Sequence, residues 1–146
     1  MAAIPLNKAA IAAMIPHAGG MCLLDGVLDW DAQKICCVSR SHRNAGNPLR
    51  SDGQLAALCG IEYAAQAMAV HGGLSGVVGG KPKGGYLASL REVTCHVERL
   101  DNLQDDLVID AERLMGDESR VIYAFTVRAG KVDVLSGRAT VVLDVG

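Results

Sequence analysis

Residues Leu55–Val70 read LAALCGIEYAAQAMAV. Ala, Leu, Met, Glu and Gln favour helix, and the run is too long for a typical strand. It is apolar nearly all round, so the pattern predicts a helix enclosed by protein rather than one lying on a surface. Gly72 and Gly73 are expected to end it. Glu62 sits in the middle of this run, with Gln66 one turn later on the same face. Tyr63 is the only other polar side chain between Leu55 and Val70. A carboxylate inside an apolar helix costs several kcal/mol unless it is paired or protonated. Desolvation is also how a general acid is made to hold its proton near neutral pH. Glu62 therefore reads as a candidate catalytic acid, against the plainer reading of a structural carboxylate satisfied by Gln66 or by backbone.

On the N-terminal side, Asn7–Met14 (NKAAIAAM) predicts a short helix capped by Asn7 and stopped by Pro16. Strands are expected at Met21–Trp30 and Lys34–Ser41, joined by a turn at Asp31-Ala32-Gln33. His42–Gly53 (HRNAGNPLRSDG) reads as loop, and Ser75–Gly85 (SGVVGGKPKGG) as a Gly/Lys loop. Beyond it come four more strands, at Tyr86–Val97, Leu107–Leu114, Arg120–Arg128 and Val132–Leu143. Val121, Tyr123, Phe125 and Val127 share one face, the best period-2 signal in the chain. Ala129-Gly130 suits the hairpin turn that follows. The order is short helix, two strands, long buried helix, then a four-strand meander. One antiparallel sheet of about six strands wrapped around one central helix satisfies it. A single α+β domain over 1–146 is expected.

Composition narrows the function. Half of the 146 residues are hydrophobic, yet the aromatics are five: Trp30, Tyr63, Tyr86, Tyr123 and Phe125. A formal net charge of −2 leaves no basic footprint for a polyanion, and few rings remain for base stacking. No nucleic-acid partner is expected. Met1–Met14 has no signal-type apolar run, and no stretch is apolar for the length of a membrane span. The five cysteines, Cys22, Cys36, Cys37, Cys59 and Cys95, form no CxxC pair and no zinc-type spacing with His. They read as small buried hydrophobes in a reducing cytoplasm. No metal is expected. Gly79-Gly80-Lys81 lacks the Ser/Thr of a P-loop, since Pro82 follows.

Two histidines are candidate bases. His17 stands in IPHAGGM between Pro16 and a Gly-Gly pair, where backbone can approach a ligand closely. His42 opens the loop before the long helix. His71 lies nine residues after Glu62, about 180° around an ideal helix, and so faces away from it. His96 reads as a surface residue.

With IPHAGGMCLLDGVLDWD and GIEYAAQAMAVHGGL both in view, the chain resembles the hotdog-fold 3-hydroxyacyl-[acyl-carrier-protein] dehydratases, specifically the branch associated with aryl polyene pigment clusters. The first signature of that family, Pro-His followed by an apolar run into Asp, is matched by Pro16, His17, Met21, Leu23, Leu24 and Asp25. The second, a helical Glu-x-x-x-Gln among small residues, is matched by Glu62, Ala65 and Gln66. The strand GGYLASLREV also fits. There is one departure. Housekeeping members carry their catalytic His in a Gly-His-Phe-Pro motif, and here Asn47-Pro48-Leu49 stands in its place. The base is therefore not transferable by position.

The resemblance implies dehydration of a 3-hydroxyacyl thioester on acyl carrier protein to the trans-2-enoyl thioester, in fatty-acid-like or aryl polyene biosynthesis, without a cofactor. It implies a homodimer or higher oligomer with long helices side by side, or a hotdog hetero-oligomer. The catalytic pair would be His17 as base, with His42 as the alternative, and Glu62 as acid. Gly19, Gly20, Met21, Gly60, Gln66 and Tyr86 would form the substrate-binding set. Backbone N–H groups around Cys59 and Gly60, or at Gly19 and Gly20, would polarise the thioester carbonyl. Lys81, Lys83, Arg91, Arg43 and Arg50 are the basic residues available to an acidic carrier protein. Two other readings stay open: a hotdog acyl thioesterase, and a catalytically silent hotdog partner subunit.

Overall fold

In chain order the elements are β1 (Leu6–Asn7), α1 (Lys8–Ala12), β2 (Gly26–Trp30), β3 (Lys34–Ser39), α2 (Gly60–Ser75), β4 (Gly85–Cys95), β5 (Leu107–Gly116), β6 (Arg120–Ala129) and β7 (Val132–Leu143). Single 3-10 turns occur at Ser41–Arg43 and Ala57–Cys59. The computed structural model describes residues 6–12, 22–75, 85–117 and 119–143. All strands join one antiparallel sheet in the order β1-β2-β3-β5-β6-β7-β4. Six of the seven are the expected strands; β1 adds a two-residue pairing, Leu6 opposite Val27.

The sheet curls around α2 because one face of the meander is apolar. Leu107, Ile109 and Ala111 of β5 and Val121, Tyr123, Phe125 and Val127 of β6 are buried, with half-buried or exposed residues between them. α2 packs on β3, β5 and β6, burying Tyr63, Ala64, Ala67, Met68 and Val70. At its start the helix approaches β7 closely. A Cβ on Gly60 would stand 2.6 Å from Leu135 Cδ2 of β7. Gly130, with φ of 59°, turns the β6–β7 hairpin. Adjacent Cys36 and Cys37 split as the pleat demands, Cys37 buried and Cys36 half-buried.

The helix is displaced from its expected span. It begins at Gly60 rather than Leu55 and runs through Gly72 and Gly73 to Ser75. Residues 55–57 are held across the chain instead. Leu55 N–H donates to Asp101 Oδ1 at 2.8 Å, Leu100 N–H to the Leu55 carbonyl at 2.7 Å, and Ala57 N–H to the Glu98 carbonyl at 3.0 Å. At the other end, each glycine costs about 1 kcal/mol of helix propensity. Packing of His71 and half-buried Leu74 against the core outweighs that.

The first strand is also shorter than expected, starting at Gly26. Cys22–Asp25 precede it and are pinned chiefly by side chains. Lys8 Nζ donates to the carbonyls of Cys22 (2.6 Å) and Leu24 (3.2 Å). α1 carries the expected cap, Ala10 N–H to Asn7 Oδ1 at 3.0 Å. Met14 and Pro16, its expected end, lie outside the described residues. No described helix is long and apolar enough to cross a membrane.

Not all of α2 is covered. Ile61, Ala65, Ala69 and Gly72 are half-buried, and Leu58 just ahead of them is 59% exposed. At 100° per residue the four helical positions fall within about 80° of one another. β4, the last strand of the sheet, also leaves Leu87 and Leu90 exposed.

Candidate active site

Glu62 is the third residue of α2, not its midpoint, because the helix starts five residues late. It lies at the rim of the uncovered stripe, half-buried. Backbone dipoles favour negative charge in such a first turn. Gln66, 3% exposed, lies one turn on. Its Oε1 accepts the Leu23 N–H at 2.9 Å and its Nε2 donates to Glu62 Oε2 at 3.0 Å. The Leu23 donor assigns the carboxamide unambiguously: the oxygen faces the N–H, so the amino group faces the carboxylate. A carboxylate held one turn away by a buried amide can accept or deliver a proton at a fixed place.

Behind this pair lies a buried polar network. Ser39 Oγ and Ser41 Oγ donate to the Leu23 carbonyl at 2.5 and 2.9 Å. Tyr63 OH meets Ser41 Oγ at 2.8 Å, and Asn47 Nδ2 donates to Tyr63 OH at 3.0 Å and to the Ser41 carbonyl at 2.9 Å. Burial pushes the Tyr63 phenol pKa up. Asn47, in the place of the missing motif histidine, is thus 6% exposed and committed to holding the loop. Neither Asn47 nor Ser39 stands out in sequence; Tyr63 does, as a polar residue inside an apolar helix.

The histidines separate clearly. His71 is fully buried on the sheet side, its Nδ1 2.7 Å from Tyr123 OH and its Nε2 2.8 Å from the Asp31 carbonyl. Its ring meets Tyr123 edge to face. His42 is also fully buried. Its Nε2 faces the Leu103 carbonyl at 3.1 Å, and its Nδ1 has no hydrogen-bond partner among the described residues. Burial pushes the pKa of both imidazoles down, which favours their neutral form. His96 is exposed. His17, with Gly19, Gly20 and Met21, lies outside the described residues. Tyr86 lies on β4, opposite Val142 of β7.

Two expectations about the helix start and the loop change. Cys59 N–H donates to the Ala56 carbonyl at 3.0 Å, and Gly60 N–H is taken by Ala57 and Leu58 carbonyls. The 3-10 turn thus occupies both groups expected to polarise a thioester, and Gly60 serves helix–sheet packing. Gly19 and Gly20, the other pair named for that task, lie outside the described residues. Arg43 and Arg50 are likewise engaged. Arg43 bonds the Gln104 carbonyl and Asp106, and Arg50 the carbonyls of Gly53 (2.8 Å) and His42 (3.1 Å). Arg91 stays exposed on β4, while Lys81 and Lys83 lie outside the described residues. Among the described residues no three of His, Cys, Asp and Glu group to hold a metal.

The chain matches the model of the ApeP-like family, described as ApeP dehydratase, over residues 9–144. Among solved structures it resembles the dehydratase heterocomplex ApeI:P from Xenorhabdus doucetiae, with a TM-score of 0.81 at 23% identity over 92% of this chain and 90% of that one. A mutant thioesterase from Pseudomonas aeruginosa aligns with a TM-score of 0.63 at 9% identity, over 94% and 93% of the two chains. Zebra fish thioesterase superfamily member 2 aligns with a TM-score of 0.59 at 15% identity, over 94% and 95%. No curated protein matches the chain. At such identities the likeness carries the architecture, one antiparallel sheet around one long helix, which is the hotdog fold. The chain belongs to the ApeP-like dehydratase family, the aryl-polyene branch of hotdog dehydratases that its two sequence signatures resemble.

Proposed function

We propose that this chain, one hotdog domain over 1–146, dehydrates a 3-hydroxyacyl thioester on acyl carrier protein to the trans-2-enoyl thioester in aryl polyene biosynthesis. The observation that carries the reading is the Gln66-held carboxyl of Glu62 at the rim of an uncovered apolar stripe. A base removes the α-proton and the C3 hydroxyl leaves as water with a proton from Glu62, so the reaction needs no electron carrier. His17 is the base on this reading. His42 is disfavoured, because it is sealed in its loop against Leu103.

A second hotdog subunit supplies what one chain lacks. It covers Leu58, Ile61, Ala65 and Ala69, pairs or covers β4, and removes water from the rim where Glu62 stands. A homodimer is proposed, working in the cytoplasm where acyl carrier protein is available, with Lys81, Lys83 and Arg91 as docking residues. Five free thiols fit such a reducing setting.

Asn47 favours a second reading. It replaces the motif histidine and is occupied structurally, and the ApeI:P relative is a heterocomplex. On that reading the chain is the partner subunit of an active homologue. One assay separates the readings. The purified chain is given a 3-hydroxyacyl thioester while enoyl absorbance and free thiol are followed together. Dehydration by the chain alone supports the first reading; turnover that appears only on adding a second hotdog subunit supports the partner role. Thiol release without enoyl product identifies a thioesterase.

A further inference from the structure

The hydrogen bonds around Leu23 form one connected network. Asn47 Nδ2 has only protons to give, so Tyr63 oxygen accepts from it, and Tyr63 OH and Ser41 Oγ share a hydrogen bond at 2.8 Å. Ser41 then donates to the Leu23 carbonyl, beside Ser39. On its other side Leu23 donates its N–H to Gln66, which donates to Glu62. The backbone of one residue is thus clamped between a hydroxyl network and the amide that holds the candidate acid. The clamp helps to set how Gln66 faces. Its terminal torsion is soft and nearly two-fold. With the Leu23 N–H withdrawn, Oε1 loses a donor that fixes which way the carboxamide faces the carboxylate.

We propose that Tyr63, acting with Ser41, Ser39 and Asn47, is a positioning residue for Glu62, transmitting through the Leu23 backbone and Gln66. This rests on the dehydratase reading for its kinetic arm alone. Tyr63→Phe keeps the ring and removes the hydroxyl. Asn47 keeps its bond to the Ser41 carbonyl and Ser39 its bond to Leu23, so the fold is retained, while Ser41 Oγ loses the phenol that orients it and holds the Leu23 carbonyl less firmly.

The test is a cycle of wild type, Tyr63→Phe, Gln66→Leu and the double variant on a 3-hydroxyacyl thioester. Tyr63→Phe should lower kcat about tenfold with KM within about twofold. On the Gln66→Leu background it should lower kcat by less than about twofold, because the relay is already cut. An equal factor in both backgrounds, or full activity of Tyr63→Phe, overturns the proposal. Amide hydrogen exchange is the arm that needs no activity. In Tyr63→Phe the Leu23 N–H should exchange about tenfold faster while Ile109 in β5 keeps its protection. Unchanged Leu23 exchange overturns the clamp, whatever the chain catalyses. Loosened Leu23 beside an inactive wild type leaves the clamp standing and removes the dehydratase reading.

Discussion

In the meander of β5, β6 and β7 every strand is fixed by backbone ladders along ten or more residues. Cys22–Asp25, a few residues from the same sheet, is fixed mostly by side chains: Lys8, Ser39, Ser41 and Gln66 hold its carbonyls and one N–H. A ladder survives changes of polar side chain, because its donors and acceptors belong to every residue alike. A side-chain clamp does not. The meander therefore carries stability, and the clamped segment carries the geometry of the site.

That contrast can be broken by experiment. The largest stability effect belongs to the meander: Phe125→Ala should cost about 3–5 kcal/mol of unfolding free energy. Activity per folded molecule should be unchanged. Denaturant unfolding with active-site titration checks both. Asn47→Leu should cost less, about 1–3 kcal/mol, since Tyr63 OH loses one partner and the loop two ties, to the Ser41 carbonyl and from the Leu49 N–H. It should nonetheless lower kcat, and equal effects of the two variants on kcat would erase the distinction.

The smallest effect concerns the tie at the start of the helix. The Arg99 guanidinium, with the Leu55 N–H, holds the Asp101 carboxyl well below the usual carboxylate range. A depressed carboxyl stabilises the fold above its unfolded value, near pH 4. That contribution is lost as pH falls through this value toward the folded one. Asp101→Asn should flatten the acid limb of a melting-temperature profile below about pH 4. A profile as steep as the wild type's would contradict the assignment.

What was legible in the sequence follows the same division. β6 shows itself by alternation at Val121, Tyr123, Phe125 and Val127, because a ladder on a curved face writes a local period. α2 shows itself by composition, but its start does not. Leu55 and Ala57 are held by Asp101 and Glu98, and no local pattern reports a partner so far along the chain. Gly72-Gly73 reads as a stop, and packing of the last turn overrides it. Glu62 and Gln66 are legible as an i, i+4 pair. The Leu23 clamp is not, because its members come from β3, a loop and α2. The missing Gly-His-Phe-Pro motif is visible in sequence; that Asn47 turns inward to Tyr63 is visible only in the fold.

The central claim is that Glu62 delivers the proton to the leaving hydroxyl. Its most direct test compares wild type with Glu62→Gln for enoyl formation from a 3-hydroxyacyl thioester, with melting temperature measured on the same samples. The expected result is a loss of about 10²–10⁴-fold in kcat, the range of a lost general acid, with the fold intact. A folded Glu62→Gln protein that dehydrates at the wild-type rate would contradict it.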